Sequence, residues 1–215
     1  LTEPLLARAA RVVAVEKDAA LSKLLAARLP DARLTVVTGD FLETDLAALT
    51  NGEAYHAVGN LPYYVTTPIV EKLLTGNPAS MTLMVQAEAA ERFFARPGAR
   101  VYGPVAILSQ FLFTPRRVCD VPRGCFYPQP DVDSAVVRLC RRNDRAADAG
   151  ALLRFLKGAF AMRRKTLRNN LAGAPDLDRA FEQLGLPAAV RAEAVEPETL
   201  AALWALCRPS GNRVP

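Results

Sequence analysis

Three polar positions stand directly behind apolar runs: Glu16 after RVVAV, Asp40 with Phe41 after LTVVTG, and Asn60-Leu61-Pro62-Tyr63 after AYHAVG. At the carboxyl ends of strands in an α/β sheet, such positions face the ligand crevice. A carboxylate in the place of Glu16 suits the two hydroxyls of a ribose, and one in the place of Asp40 suits an adenine amino group. Either acid alone could instead cap a helix, as could Asp18. In this order, with the tetrapeptide following, they point to a nucleoside-shaped ligand.

The tetrapeptide has the sharpest chemistry. The lone pair of an adenine N6 is delocalised into the ring, and acceptors for its amino protons favour a more pyramidal, nucleophilic nitrogen. The side-chain oxygen of Asn60 and the backbone carbonyl of Leu61 suit that task. Pro62 stiffens the backbone that carries them, and Tyr63 offers a face on which an extruded base can stack, worth ~1–3 kcal/mol. No strong base is required if the nitrogen sheds its proton after attacking a cationic sulfonium. As a bare tetrapeptide, N-L-P-Y would read as a tight turn with Tyr63 and Tyr64 packed in the core. Its place behind Glu16 and Asp40 favours the pocket.

The elements that must position these residues follow from periodicity. The pattern predicts helix over Thr2–Ala10, buried strand over Arg11–Val15, helix over Ala19–Leu29 and strand over Arg33–Val37. It continues with a short helix near Leu42–Leu49, strand Ala54–Gly59, helix Thr67–Leu74, strand Met81–Gln86 and helix Ala87–Phe94. Such alternation with short links predicts a parallel sheet covered on both faces. Gly103–Phe113 fits helix. Two β-like runs, Arg116–Val121 and Ser134–Cys140, flank the proline-rich Pro122–Pro130 and predict an antiparallel hairpin at the end of the sheet. A polar linker, Arg141–Ala149, precedes a helical tail over Ala151–Met162, Lys165–Leu171, Leu177–Leu184 and Pro197–Leu206. The fold class is therefore α/β, with a domain over 1–142 and a small all-helical one over 150–215.

Acids and bases balance over residues 1–140, so the whole net charge of +5 lies in the last third of the 215 residues. Arg154, Lys157, Arg163, Arg164, Lys165 and Arg168 follow one another with no acid between them. A basic cluster on a neutral body favours a polyanionic partner, although a solvated helix face has the same composition. No run approaches the ~18 apolar residues of a membrane span, and no basic-then-apolar leader opens the chain. Cys119, Cys125, Cys140 and Cys207 form no C-x-x-C pair, and His56 is the one histidine. These residues predict no metal site, and thiols kept reduced in a cytosol.

Six blocks in order resemble the ribosomal RNA adenine N6-dimethyltransferases, across nearly the whole chain. VVAVEKD (Val12–Asp18), VVTGDF (Val36–Phe41) and GNLPYYVTTPIV (Gly59–Val70) are similar to that family's second to fourth motifs. VQAEAAERFFARPGARVYG (Val85–Gly103) resembles its Q-x-E-x-x-x-R…Y-G segment. FYPQPDVDSAVVRL (Phe126–Leu139) resembles its F-x-P-x-P-x-V-x-S signature, and RRKTLRNNL (Arg163–Leu171) its basic C-terminal motif.

The resemblance implies a Rossmann-like class I methyltransferase that uses S-adenosyl-L-methionine. Glu16 would hold the cofactor ribose, Asp40 and Phe41 its adenine, and Asn60 would also belong to the cofactor site. Asn60, Leu61, Pro62 and Tyr63 would form the target-adenine pocket, closed by Phe126 from the opposite face; a core aromatic on a proline-rich loop is the plainer reading of Phe126. Arg163, Arg164, Lys165 and Arg168 would meet RNA phosphates, and Gln86 and Glu88 would support the site structurally. The basic motif favours the branch that dimethylates two adjacent adenosines near the 3′ end of small-subunit ribosomal RNA. The expected partner is the immature small subunit, and the protein is expected to be a cytoplasmic monomer, with no membrane and no metal.

In two places the chain departs from the pattern. The family's glycine-rich first motif lies just before an L-T pair, and this chain opens at Leu1-Thr2, so the first strand and glycine loop are expected to be missing. Ala87 stands where many members carry a lysine. Three other readings remain open: a non-catalytic RNA-binding assembly factor on the same fold, a large-subunit ribosomal RNA adenine methyltransferase, and a DNA adenine methyltransferase.

Overall fold

The computed structural model describes residues 1–145 and 148–208. Residues 146–147 of the expected linker and 209–215 at the end of the expected helical domain lie outside them. The chain forms two compact units, Leu1–Ala54 and Tyr55–Pro215.

In the first unit, strands β1 (Val12–Glu16) and β2 (Leu34–Thr38) pair in parallel, with Glu16 opposite Thr38. Parallel neighbours need a crossover, and α2 (Ala19–Arg28) supplies it. The Asp18 carboxylate starts that helix by accepting the backbone N–H groups of Ala20 and Leu21 at 2.7 and 3.0 Å. The buried Ser22 hydroxyl then meets that of Thr38 at 2.6 Å, tying α2 to the end of β2. Helices α1 (Thr2–Leu6) and α3 (Leu46–Thr50) are shorter than expected. The segment after β2 splits into a 3₁₀ turn, Phe41–Glu43, and α3, because Asp40 and Asp45 each cap a turn of their own. Expected as buried, β1 is half-buried throughout, since β2 is its one partner strand among the described residues.

The second unit holds β3 (His56–Asn60), β4 (Ser80–Gln86), β5 (Phe113–Val121) and β6 (Ser134–Arg141) in the order β3-β4-β6-β5. Only β3 and β4 run parallel; β6 is antiparallel to both β4 and β5, so this sheet is mixed and the expected hairpin forms its end. Period-two alternation builds the core. Met81, Leu83 and Val85 of β4 stand opposite Leu139, Val137 and Ala135 of β6, and all six are at most 1% exposed. Pro115 is tolerated in β5 because that strand lies at the edge.

Around the sheet lie α4 (Thr66–Thr75), α5 (Ala87–Glu91), α6 (Pro104–Leu112) and α7 (Ala149–Ala159), followed by α8 (Leu167–Asn170), α9 (Leu177–Gln183) and α10 (Pro197–Leu206). The ambiguous Gly103–Phe113 run is helical as α6, with Ile107, Leu108 and Leu112 fully buried against α4, α7 and α10. It passes straight into β5 at Phe113, three residues before the expected strand start at Arg116. The helical tail also corrects an expectation. α7 stops at Ala159, short of the expected Met162, and α8 starts at Leu167, so Lys165, expected on a helix, lies in the loop with Arg163 and Arg164. Thr166 caps α8 by accepting the Asn169 N–H at 3.2 Å. Asn170 donates to the carbonyls of Ala159 and Met162 at 2.7 and 3.1 Å, satisfying the end of α7 and its turn.

Candidate active site

The first unit brings two of the expected acids to the same end of adjacent parallel strands. Glu16 is the last residue of β1; its carbonyl accepts from the Gly39 N–H at 2.9 Å, and one carboxylate oxygen accepts from the Asp18 N–H at 2.9 Å. Among the described residues the other carboxylate oxygen of Glu16 accepts no hydrogen bond. Asp40 follows β2 by one residue beyond Gly39. One of its carboxylate oxygens accepts the Leu42 N–H at 2.9 Å, and the other pairs with Lys17 at 2.8 Å. Periodicity gave no sign of Lys17, yet it lies next to Glu16 in the chain and meets the acid of the neighbouring strand. Its side chain is 73% exposed, so the pair is a surface one of small net strength. Phe41 opens the 3₁₀ turn, half-buried.

In the second unit the tetrapeptide begins on the last residue of β3, Asn60, which is exposed. Leu61 is buried and donates its N–H to the Met84 carbonyl at 3.0 Å, which extends the β3–β4 ladder by one bond. The Leu61 carbonyl accepts no hydrogen bond from a described residue. The turn that follows is clamped by Thr66, which is buried. Its hydroxyl lies 3.1 Å from the Pro62 carbonyl and 3.3 Å from that of Tyr63, and Pro62 also accepts the Val65 N–H at 3.2 Å. Tyr63 is half-buried and Tyr64 is 83% exposed, which removes the core-packing reading of Tyr64.

A second motif meets this turn. The Tyr63 hydroxyl lies 2.7 Å from that of Ser134, the serine that ends the F-x-P-x-P-x-V-x-S block, 71 residues away. Phe126, at the head of the block, is half-buried and follows the 3₁₀ turn Arg123–Cys125. Asp133 fastens the loop at both ends: its carboxylate accepts the Arg123 N–H at 2.8 Å, and its carbonyl accepts the Ala87 N–H at 3.0 Å. Arg123 also donates to the Asp131 carbonyl at 3.1 Å. Gln86 pairs with Ser134 across β4 and β6, and Glu88 sits in the first turn of α5. Arg92, from the same segment, donates to Thr67 at 2.9 Å. Tyr102 donates to the Val195 carbonyl at 2.7 Å; burial, with Glu196 and Glu198 adding to it, pushes its phenol well above the ordinary range.

The four basic residues differ in their surroundings. Arg164 and Lys165 are exposed and make no ion pair with a described residue. Arg163 pairs with Glu193 at 3.2 Å and donates to the Arg100 carbonyl at 3.1 Å. Arg168 pairs with Asp178 at 2.7 Å, lies over the Phe181 ring at 5.3 Å, and lines an open groove with Asn169, Gly173 and Arg179. Neither acid neighbours the basic block in sequence. Among the described residues no group of three or more His, Cys, Asp or Glu is placed to hold a metal ion, and no helix is long and apolar enough to cross a membrane.

Residues 1–203 match the family model described as ribosomal RNA adenine dimethylase. A Phenylobacterium zucineum protein named ribosomal RNA small subunit methyltransferase A is 46% identical over 204 residues, covering 91% of this chain and 70% of its own. Its namesake in Deinococcus radiodurans is 39% identical over 210 residues, covering 95% and 71%. Among solved structures, the 23S rRNA methyltransferase ErmE matches at 27% identity with a TM-score of 0.64, covering 94% of this chain and 84% of its own. A dimethyladenosine transferase from Plasmodium falciparum shares the fold with a TM-score of 0.75 at 22% identity, over 94% and 83%.

Proposed function

The chain belongs to the ribosomal RNA adenine dimethylase family, and from that membership we propose that it methylates N6 of two adjacent adenosines near the 3′ end of small-subunit ribosomal RNA, twice each, with S-adenosyl-L-methionine as the donor. The observation that carries this reading is the state of the Asn60–Tyr63 turn. Its backbone is fixed by Met84 and Thr66, the Leu61 carbonyl has no internal donor, and the Tyr63 ring is anchored at its hydroxyl.

The donor set suits the cofactor. A ribose diol brings two hydroxyl donors, and Glu16 keeps a carboxylate oxygen with no internal donor. Asp40 is an acceptor for an adenine amino group in exchange for the weak, exposed pair with Lys17. Phe41 offers an apolar surface beside it. The cofactor supplies a methyl group on a cationic sulfonium. The chain's own residues prepare the nitrogen that receives it. Asn60 and the Leu61 carbonyl accept from the two amino protons, Tyr63 stacks on the base with Phe126 on its opposite face, and Pro62 restrains the turn. The proton leaves N6 after transfer, when the nitrogen is cationic, so acceptors suffice where a strong base would otherwise be needed. Residues 1–142 perform this chemistry, and the segment 150–215 grips RNA through Arg163, Arg164, Lys165 and Arg168. On this reading the enzyme is a cytoplasmic monomer whose partner is the immature small subunit.

The test is Asn60→Ala assayed for methyl incorporation into unmethylated small subunits. Loss of one transition-state hydrogen bond of ~1.4 kcal/mol corresponds to about tenfold in rate; undiminished incorporation refutes the pocket. The likeness to ErmE keeps a large-subunit target in play, and incorporation into large-subunit RNA in preference to small subunits would favour it.

A further inference from the structure

We infer that Ser134 is a positioning residue for methyl transfer, holding the Tyr63 ring in its stacking pose through the hydroxyl–hydroxyl contact; this rests on the reading of Tyr63 as the adenine platform. Ser134 is completely buried, and a buried hydroxyl needs a partner. The partner given to Ser134 is the Tyr63 hydroxyl at 2.7 Å, so the bond satisfies the core and aims the ring together.

The anchor itself has little freedom. Ser134 is the first residue of β6, paired with Gln86 of β4 on one side and with Val121 of β5 on the other. The residue before it is fastened by Ala87 and Arg123. Its hydroxyl is therefore placed by three strands and by the loop that carries Phe126. Tyr63, by contrast, lies in a 3₁₀ turn, half-buried, with two side-chain torsions to settle. A hydrogen bond at the para position restrains both torsions while leaving the ring faces uncommitted. It also links the turn that bears Tyr63 to the loop that bears Phe126, so one buried hydroxyl bears on both walls proposed for the base. Held this way, the ring does not have to be ordered when the base arrives.

The test is a double-mutant cycle in the whole enzyme. Methyl transfer to unmethylated small subunits is measured for Ser134→Ala, Tyr63→Phe, the pair, and Ser134→Thr. A positioning role predicts a fall in kcat of about three- to tenfold for each single variant, the range of one hydrogen bond, at unchanged KM for the subunit. The pair should be no worse than either single variant, and Ser134→Thr should recover most of the rate. A wild-type kcat in Ser134→Ala, or losses that multiply in the pair, overturns the inference. If Ser134→Ala does not fold, Tyr63→Phe removes the same bond from its half-buried side and decides alone, a wild-type kcat again overturning it. Tyr63→Ala separates the two readings. An active Tyr63→Ala sinks the stacking role itself, whereas an inactive Tyr63→Ala beside a fully active Ser134→Ala sinks the positioning role only.

Discussion

Replacing Arg164 and Lys165 together by alanine removes two exposed cations that have no acid partner among the described residues, and the salt dependence of RNA binding should report the loss. Each phosphate contact contributes a slope of ~0.7–0.9 in log affinity against log salt. Between 50 and 200 mM salt one contact therefore weakens binding about 2.6- to 3.5-fold, and four contacts from Arg163, Arg164, Lys165 and Arg168 weaken it about 50- to 150-fold. With Arg163 and Arg168 left, the drop over the same interval should shrink to about 7- to 12-fold. Arg163→Ala and Arg168→Ala should behave differently. Each leaves behind an acid, Glu193 or Asp178, to repel RNA, so affinity should fall by more than the slope accounts for. The assay is fluorescence anisotropy of a labelled small-subunit RNA fragment titrated at several potassium chloride concentrations. Weaker binding with an unchanged slope in Arg164→Ala/Lys165→Ala would show that these residues do not meet phosphates, and an unchanged affinity would remove the loop from the interface.

Three further outcomes follow from particular contacts. Tyr102→Phe leaves the buried Val195 carbonyl without its donor and should lower stability by ~1–3 kcal/mol in urea unfolding. Because the folded phenol's pKa is raised, the stability it contributes is full below the unfolded value of about 10 and is lost as pH rises beyond it. Tyr102→Phe should therefore unfold with a shallower dependence above pH 10, and parallel curves would refute this. In Gly59→Ala the new Cβ would stand 3.0 Å from Leu61 Cδ2 in a buried setting, costing ~1–3 kcal/mol and lowering kcat through the Leu61 carbonyl; normal melting and turnover would show that Leu61 gives way freely. Asp40→Asn should weaken S-adenosylmethionine binding about tenfold in calorimetry, the worth of one charged hydrogen bond, and an unchanged Kd would place the adenine elsewhere.

Much of the architecture was legible because it is local. The alternation of Met81, Leu83 and Val85 reports a strand whose one face is buried, and the acids Asp18, Asp45 and Asp148 cap helices that begin one residue later. Placing Glu16, Asp40 and Asn60 at strand ends needed only the lengths of the runs before them. The basic block was readable as charge and as a break between two helices at Arg163 and Arg164, but the sequence pattern did not say that Thr166 would cap α8 and leave Lys165 in the loop.

The sequence by itself determined the strand–helix order, the strand-end acids, the place of the Asn60–Tyr63 tetrapeptide and the basic block, because each depends on neighbours within a few residues. Tertiary structure alone decided the partners. Ser134 reaches Tyr63 because β6 inserts between β4 and β5 and brings its first residue level with Gln86. Glu193 and Asp178 meet Arg163 and Arg168, and Lys17 meets Asp40, through chain paths that return from elsewhere. The physical reason is register. Which side chains meet across a sheet or between helices depends on how distant segments slide together to bury their apolar faces, and no window of sequence contains that choice.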